Sequence, residues 1–234
     1  MSRLQRTQKE ILDVIDNGKD PMSAFTHFIG MAMAVFAALP IILKAAGTGD
    51  PVHVSSITIF AISMILLYAA STCYHYFNFS EKTNTLLKKL DHTMIFILIA
   101  GTYTPVCLIV LGGKTGIMLL SLVWGIAIVG IIIKWFFVFC PKWFSSILYI
   151  AMGWVCVLAF TQIINNLPHA AFMWLLIGGI IYTVGGVIYA LKLPIFDKKH
   201  KKFGSHEIFH LFVMGGSFCH FVMMFIYVAG LPVK

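Results

Sequence analysis

The stretch GSHEIFHLFVMGGSFCHFVMMFIYVAG, residues 204–230, carries two incompatible messages. Its start, HEIFH, spells the H-E-x-x-H of a zinc protease, in which two histidines four apart on a helix share a metal and the glutamate acts as base. Its remainder is an apolar run long enough to cross a bilayer, which needs roughly 20 residues at about 1.5 Å each. The rest of the chain decides between them. Of the 234 residues, 59% are hydrophobic and only 11% charged, and the mean hydropathy is +0.90. Such a chain has more apolar surface than one soluble core can hide, and it needs lipid. Runs of spanning length recur at about residues 24–46, 54–77, 91–111, 115–139, 143–164, 170–191 and 206–230. Unpaired backbone groups are not tolerated in hydrocarbon, so these runs are predicted to be helices. The weak alternation of barrel strands is absent. The expected fold is an all-α integral membrane protein, a seven-transmembrane helix bundle.

Lysine and arginine orient it. An N-terminus in the cytoplasm puts fourteen of them inside, in the N-terminal segment and around Lys82–Lys89, Lys134–Lys142 and Lys192–Lys202, against Lys44, Lys114 and Lys234 outside. The positive-inside rule then predicts a cytoplasmic N-terminus and a C-terminus outside. The net charge of +8 becomes a belt facing anionic lipid, and no nucleic-acid partner is expected. Residues 1–22 are expected to be a cytoplasmic tail and residues 23–231 a single membrane domain. In the tail, Leu4, Ile11, Val14 and Ile15 are spaced either for a short interfacial helix or as part of a frayed end. The opening lacks the pattern of a cleaved signal peptide. Five scattered cysteines form no C-x-x-C pair, which points to buried packing rather than a disulfide framework or thiolate zinc site. Gly178, Gly179, Gly185 and Gly186, seven apart on the sixth helix, fit close helix packing.

Ionisable groups inside a bilayer are costly, so each one within a run is a functional candidate. Of the nine carboxylates only Asp91 and Glu207 lie in the runs, each near the start of a helix entering from the cytoplasmic side. In STCYH on the second run, Ser71 and His75 share a helix face, with Ser71 about 6 Å deeper. His206 and His210 share a face at the start of the seventh. Ser71, His75, Asp91, His206 and His210 therefore come to similar depth. Three imidazoles with one position left open is the arrangement of a catalytic zinc, which lowers the pKa of its water to about 7. Asp91 is then placed to hold that water or accept its proton, and Ser71 to hydrogen-bond a ligand, the water or a developing oxyanion. The residues alone leave open a structural polar network for the three histidines. His27 and His92 read as interfacial, and His220, about 15 Å beyond His210, as an interhelical hydrogen bonder.

Taken together, S-x-x-x-H in STCYH, the aspartate in LDHTMIFILIAGTYTP and H-x-x-x-H in HEIFHLF resemble the bacterial hemolysin III proteins. These belong to the progestin and adipoQ receptor family, which includes the adiponectin receptors, and to a wider superfamily with the alkaline ceramidases. The resemblance covers about residues 20 to 230. It implies one zinc near the cytoplasmic face held by His75, His206 and His210, with Asp91 on the zinc-bound water and Ser71 beside it. It also implies a lipid amide or acyl substrate and a role in membrane lipid homeostasis. Two departures stand out: the long cytoplasmic region of the animal receptors is missing, and Glu207 exceeds the H-x-x-x-H pattern.

Other functions compete with a lipid hydrolase. One is a lipid-sensing receptor or regulator whose zinc only pins helices together, and another is a cytolysin, which no toxin-like amphipathic segment supports. Intramembrane proteolysis would need Glu207 as base, but a carboxylate at a helix N-terminus is favoured by the helix dipole in any case. An ion path finds little support in so few charges at mid-membrane. A retinal protein is excluded by the absence of lysine from the seventh helix.

Overall fold

A computed structural model describes residues 18–191 and 204–231. Among them seven helices are long and apolar enough to span a membrane: α1 Pro21–Ala46, α2 Pro51–Tyr76, α3 Glu81–Leu111, α4 Gly113–Phe136, α5 Lys142–Asn166, α6 His169–Leu191 and α7 Ser205–Val228. The segment carrying Leu4, Ile11, Val14 and Ile15 and the basic loop around Lys198–Lys202 lie outside the described residues. The predicted runs agree with the helices to within a few residues except at α3. That helix begins ten residues before the apolar run, because Ser80 caps it by accepting from Thr83 N–H and Glu81 favours its first turn. Asp91 is therefore well inside α3 rather than at its start, and Glu81 is helical rather than in a loop.

Local chemistry sets the other boundaries. Pro21 and Pro51 occupy the first turns of α1 and α2, where a missing N–H does no harm. The Asp50 carboxylate accepts from Val52 N–H at 2.7 Å. Between α3 and α4 the chain reverses through Gly112 and Gly113, both at positive φ (62° and 48°), a conformation that glycine adopts without penalty.

Three helices depart from α geometry. α3 ends in a π-helical stretch after Pro105, Val106–Leu111, and α7 ends in another, Met224–Val228. α5 passes through a 3-10 segment, Trp154–Ala159, at its middle. There the Tyr103 hydroxyl of α3 donates to Gly153 O and accepts from Cys156 N–H, each at 2.7 Å. The sequence reading anticipated no such break, since its cause is a tyrosine fifty residues away.

Sequential neighbours pack from α1 to α4 and from α5 to α7, and α7 also packs on α1. α3 is the most enclosed helix, with 72% of its apolar window buried. Polar side chains bridge helices in the interior: Ser217 of α7 takes Tyr68 of α2 at 2.8 Å and Tyr182 of α6 at 2.7 Å. Trp124 Nε1 of α4 donates to Thr104 of α3 at 3.2 Å. His220 Nε2 meets Leu175 O of α6 at 3.2 Å, the interhelical role expected of it. Of the cysteines, Cys107 and Cys219 are buried while Cys73, Cys140 and Cys156 are only partly so, which corrects the expectation of uniform burial.

The four glycines of α6 do not act alike. A Cβ at Gly185 would come within 2.6 Å of Phe212 Cβ and one at Gly178 within 2.5 Å of His220, so both seat α7; Gly186 faces Ile150 of α5. Gly179 has nothing within 4 Å. Gly185→Ala is thus expected to destabilise the bundle by about 1–3 kcal/mol through overpacking. Gly179→Ala should be neutral or slightly stabilising, since alanine favours helix by about 1 kcal/mol. Thermal unfolding of the two variants in detergent checks the contrast.

Candidate metal centre

At the basic end of the bundle, the last turn of α2 and the first turns of α7 bring His75, His206 and His210 together. One ring nitrogen from each lies within 4.8 Å of the others, as three metal ligands require. His75 and His210 are buried, at 2% exposure each. The Nε2 atoms of His75 and His206 are 3.1 Å apart. Tetrahedral zinc with nitrogens at about 2.1 Å sets ligand nitrogens roughly 3.4 Å from one another, so this spacing fits a shared ion.

The opposite nitrogens show which face of each ring is free. His75 Nδ1 lies 3.1 Å from Asp20 Oδ2, and a carboxylate accepts only, so Nδ1 carries the proton. His210 Nδ1 donates to the backbone carbonyl of Ser23 at 3.2 Å, with the Thr26 hydroxyl also at 3.2 Å. Both rings therefore present an Nε2 lone pair, which could bind a cation; that of His75 could otherwise accept an N–H from His206, 3.1 Å away. A carboxylate behind a ligating imidazole also raises its basicity.

Asp20 is the residue that the sequence reading missed, having placed it in the tail. It precedes Pro21 at the N-cap of α1 but does not cap its own helix. Its carboxylate goes to His75, and this hydrogen bond holds its pKa below the usual carboxylate range despite partial burial. The backbone follows: Asp20 N–H donates to His75 O at 2.8 Å and Lys19 N–H to Tyr76 O at 3.1 Å. α1 thereby builds the wall behind the ligands. A signal was present in DPMSAFTHFIG, where Asp20, Ser23, Thr26, His27 and Gly30 recur every three or four residues along an otherwise apolar helix.

His27, expected at the interface, is instead 4% exposed and stacked on His210, with ring centroids 3.6 Å apart. Among the described residues neither of its ring nitrogens has a hydrogen-bond partner. His92 is satisfied within its own helix by Lys88 O at 2.8 Å. Ser71 is buried one turn deeper than His75 on α2. Asp91 is half-buried at the same end of the bundle. Its charge reaches Tyr74, Tyr149 and Tyr189, and the Tyr189 ring lies 5.5 Å from that of His206. Among the described residues no hydrogen bond joins Asp91 to the three imidazoles.

The glutamate of HEIFH is already engaged. Oε1 accepts from the Ser23 hydroxyl at 2.5 Å and Oε2 from Gly204 N–H at 2.8 Å. Glu207 closes the start of α7 and ties it to α1, so each of its oxygens already carries a structural hydrogen bond.

Comparison with known proteins agrees with the motifs. A family model described as "Haemolysin-III related" matches residues 16–221. The chain belongs to the haemolysin III family. It is similar to the "Hemolysin-3 homolog" of Bacillus subtilis, 39% identical over 210 residues, covering 90% of this chain and 94% of that one. It is also similar to "Hemolysin-3" of Bacillus cereus, 40% identical over 207 residues, covering 88% and 90%. A more distant likeness is to the "ADIPOR-like receptor IZH2" of Saccharomyces cerevisiae, 34% identical over 79 residues, 32% of this chain and 24% of that one. With this family membership and seven candidate spans among its described residues, the chain is a multi-pass membrane protein, in bacteria a protein of the cell membrane.

Asp20→Asn keeps the shape of the contact and removes its charge. Zinc affinity, measured by chelator competition on purified protein, should fall about 10–100-fold with helix content unchanged. Unchanged affinity would show that Asp20 does not support His75.

Proposed function

We propose that this haemolysin III protein is a zinc-dependent hydrolase of lipid amide or acyl bonds, of the ceramide type, acting in membrane lipid homeostasis with its basic end in the cytoplasm. The observation that carries the reading is three imidazoles with two of their tautomers fixed, separated from an apolar cavity by the rings of Tyr189 and Phe209. That cavity, about 170 Å³, lies among α3, α5, α6 and α7. Tyr189 and Phe209 line it and also flank His206, with ring centroids 5.5 and 6.3 Å away. An acyl chain from the surrounding membrane lipid could occupy the cavity, with its head group reaching the histidines past Tyr189 and Phe209.

His75, His206 and His210 would hold the ion. Zinc, when bound, supplies a Lewis acid and water acidified to a pKa of about 7. Asp91 would accept a proton from the attacking water on its carboxylate and return it to the leaving nitrogen. The Ser71 hydroxyl would donate to the carbonyl oxygen as negative charge builds there. Asp20 and the Ser23 carbonyl keep the ligand rings oriented, and the apolar wall excludes bulk water.

A regulator whose zinc is only structural has one observation in its favour: the site joins α1, α2 and α7. The two readings part in experiment. Elemental mass spectrometry should find about one zinc per chain, lost in His206→Ala/His210→Ala. Against short-chain ceramides in detergent micelles, Asp91→Ala should retain the metal and lose roughly 10²–10⁴-fold in turnover. Full activity in Asp91→Ala would remove it from the chemistry. Absence of turnover across ceramides and other acyl lipids, with thermal stability lost only in the histidine variants, would leave the structural reading.

A further inference from the structure

Away from the histidines, the same end of the bundle holds a second reactive cluster. Lys134, on the last turn of α4, is fully buried, at 0% exposure. Burying an ammonium without an opposite charge is expensive, and such groups are normally paired. Among the described residues no carboxylate forms an ion pair with Lys134. Its Nζ donates instead to the Ser145 hydroxyl of α5 and to Cys140 Sγ at 3.1 Å, with the Tyr149 ring 5.9 Å away. Cys140 Sγ is also 3.4 Å from Ser145 Oγ. Of these partners, the cysteine is the one that can take a negative charge near neutral pH.

We infer that Lys134 and Ser145 hold Cys140 as a thiolate, making it a nucleophilic modification site for electron-poor alkenes such as α,β-unsaturated aldehydes. Burial pushes the thiol's pKa up, but the hydrogen bonds from Ser145 and Lys134 and the charge of Lys134 outweigh it and bring the group below its ordinary value. Other charged groups share these surroundings. Lys88 of α3, whose Nζ sits 4.4 Å over the Phe139 ring, favours the thiolate. Asp91, a carboxylate of α3, shares with Cys140 the neighbours Tyr149 of α5 and Tyr189 of α6.

Position selects the reagent. Cys140 lies in the short α4–α5 connection, half-buried, between the exposed rings of Phe137 and Phe139 and that of Trp143. Such a rim admits small apolar electrophiles from the membrane interface more readily than charged oxidised thiols. In the reaction the sulfur pair forms a C–S bond to the β-carbon and the alkene π pair shifts to give an enolate. The enolate takes a proton from the Lys134 ammonium, which water then restores. Addition has no leaving group and needs no oxidant.

The test is per-cysteine labelling of the full chain in nanodiscs, read by peptide mass spectrometry. Iodoacetamide at a series of pH values measures thiolate content. Cys140 should label faster at pH 6.5 than an ordinary exposed thiol of pKa about 8.5, with a rate that levels off at lower pH than that thiol's. Lys134→Met should return its profile to that of an ordinary thiol. Should that variant not fold, Ser145→Ala should shift the profile the same way by a smaller amount. Treatment with trans-2-hexenal should add the whole mass of the aldehyde at Cys140, and Cys140→Ser should abolish the adduct while keeping the zinc content. A Cys140 rate that climbs tenfold per pH unit through pH 8, an unchanged profile in Lys134→Met, or an adduct short by one water on Lys134 would overturn the assignment.

Discussion

The contact on which the rest depends is the hydrogen bond between the Asp20 carboxylate and His75. Three imidazoles at the edge of a bilayer can point lone pairs at one place only if each ring is prevented from turning or changing tautomer, and water is too scarce there to settle the matter. For His75 the restraint is a carboxylate, and for His210 it is the backbone carbonyl of Ser23. Both come from α1, a helix that contributes no ligand. This explains why α7 must pack on α1 as well as on α6, and why Glu207 reaches back to Ser23. The glutamate of the HEIFH motif thus has an architectural part, closing α7 and tying it to α1.

Deeper in the bundle the same economy of polar groups holds helices in register. Apolar packing alone does not distinguish one helix from another when the solvent is also apolar. The Tyr68–Ser217–Tyr182 cluster joins α2, α7 and α6 through one serine hydroxyl, and His220 joins α7 to α6 through Leu175. These contacts lie on the side of α7 beyond the histidine pair. They keep His206 and His210 facing α2 rather than lipid.

How much was legible follows from what each signal measures. Hydropathy reports length in hydrocarbon, so it located all seven helices but missed the first ten residues of α3, seven of which are polar. The i, i+4 spacing of His206 and His210 and the depth of His75 were enough to bring the three histidines into one cluster that could hold a metal, because helix geometry converts spacing into position. Asp20 escaped notice because its partner is 55 residues away. A carboxylate before a proline reads as an ordinary cap until the neighbouring helix is seen. His27 was misjudged for a related reason: helix-end depth is readable from sequence, but which side faces the core depends on how α1 and α7 meet. Lys134 was counted as an interfacial cation, and only the packing of α5 shows it enclosed.

The interrupted middle of α5 gives that helix a mechanical character the others lack. Parting a continuous helix at mid-membrane would break several backbone hydrogen bonds with no water to replace them. α5 avoids that loss: its ladder tightens to 3-10 geometry over Trp154–Ala159 instead of parting, and there the phenol of Tyr103 meets the carbonyl of Gly153 and the amide of Cys156. Tyr103, Gly153 and Cys156 all line the apolar cavity, so the side chain that spans the change of pitch also fastens together two of the chamber's walls, α3 and α5.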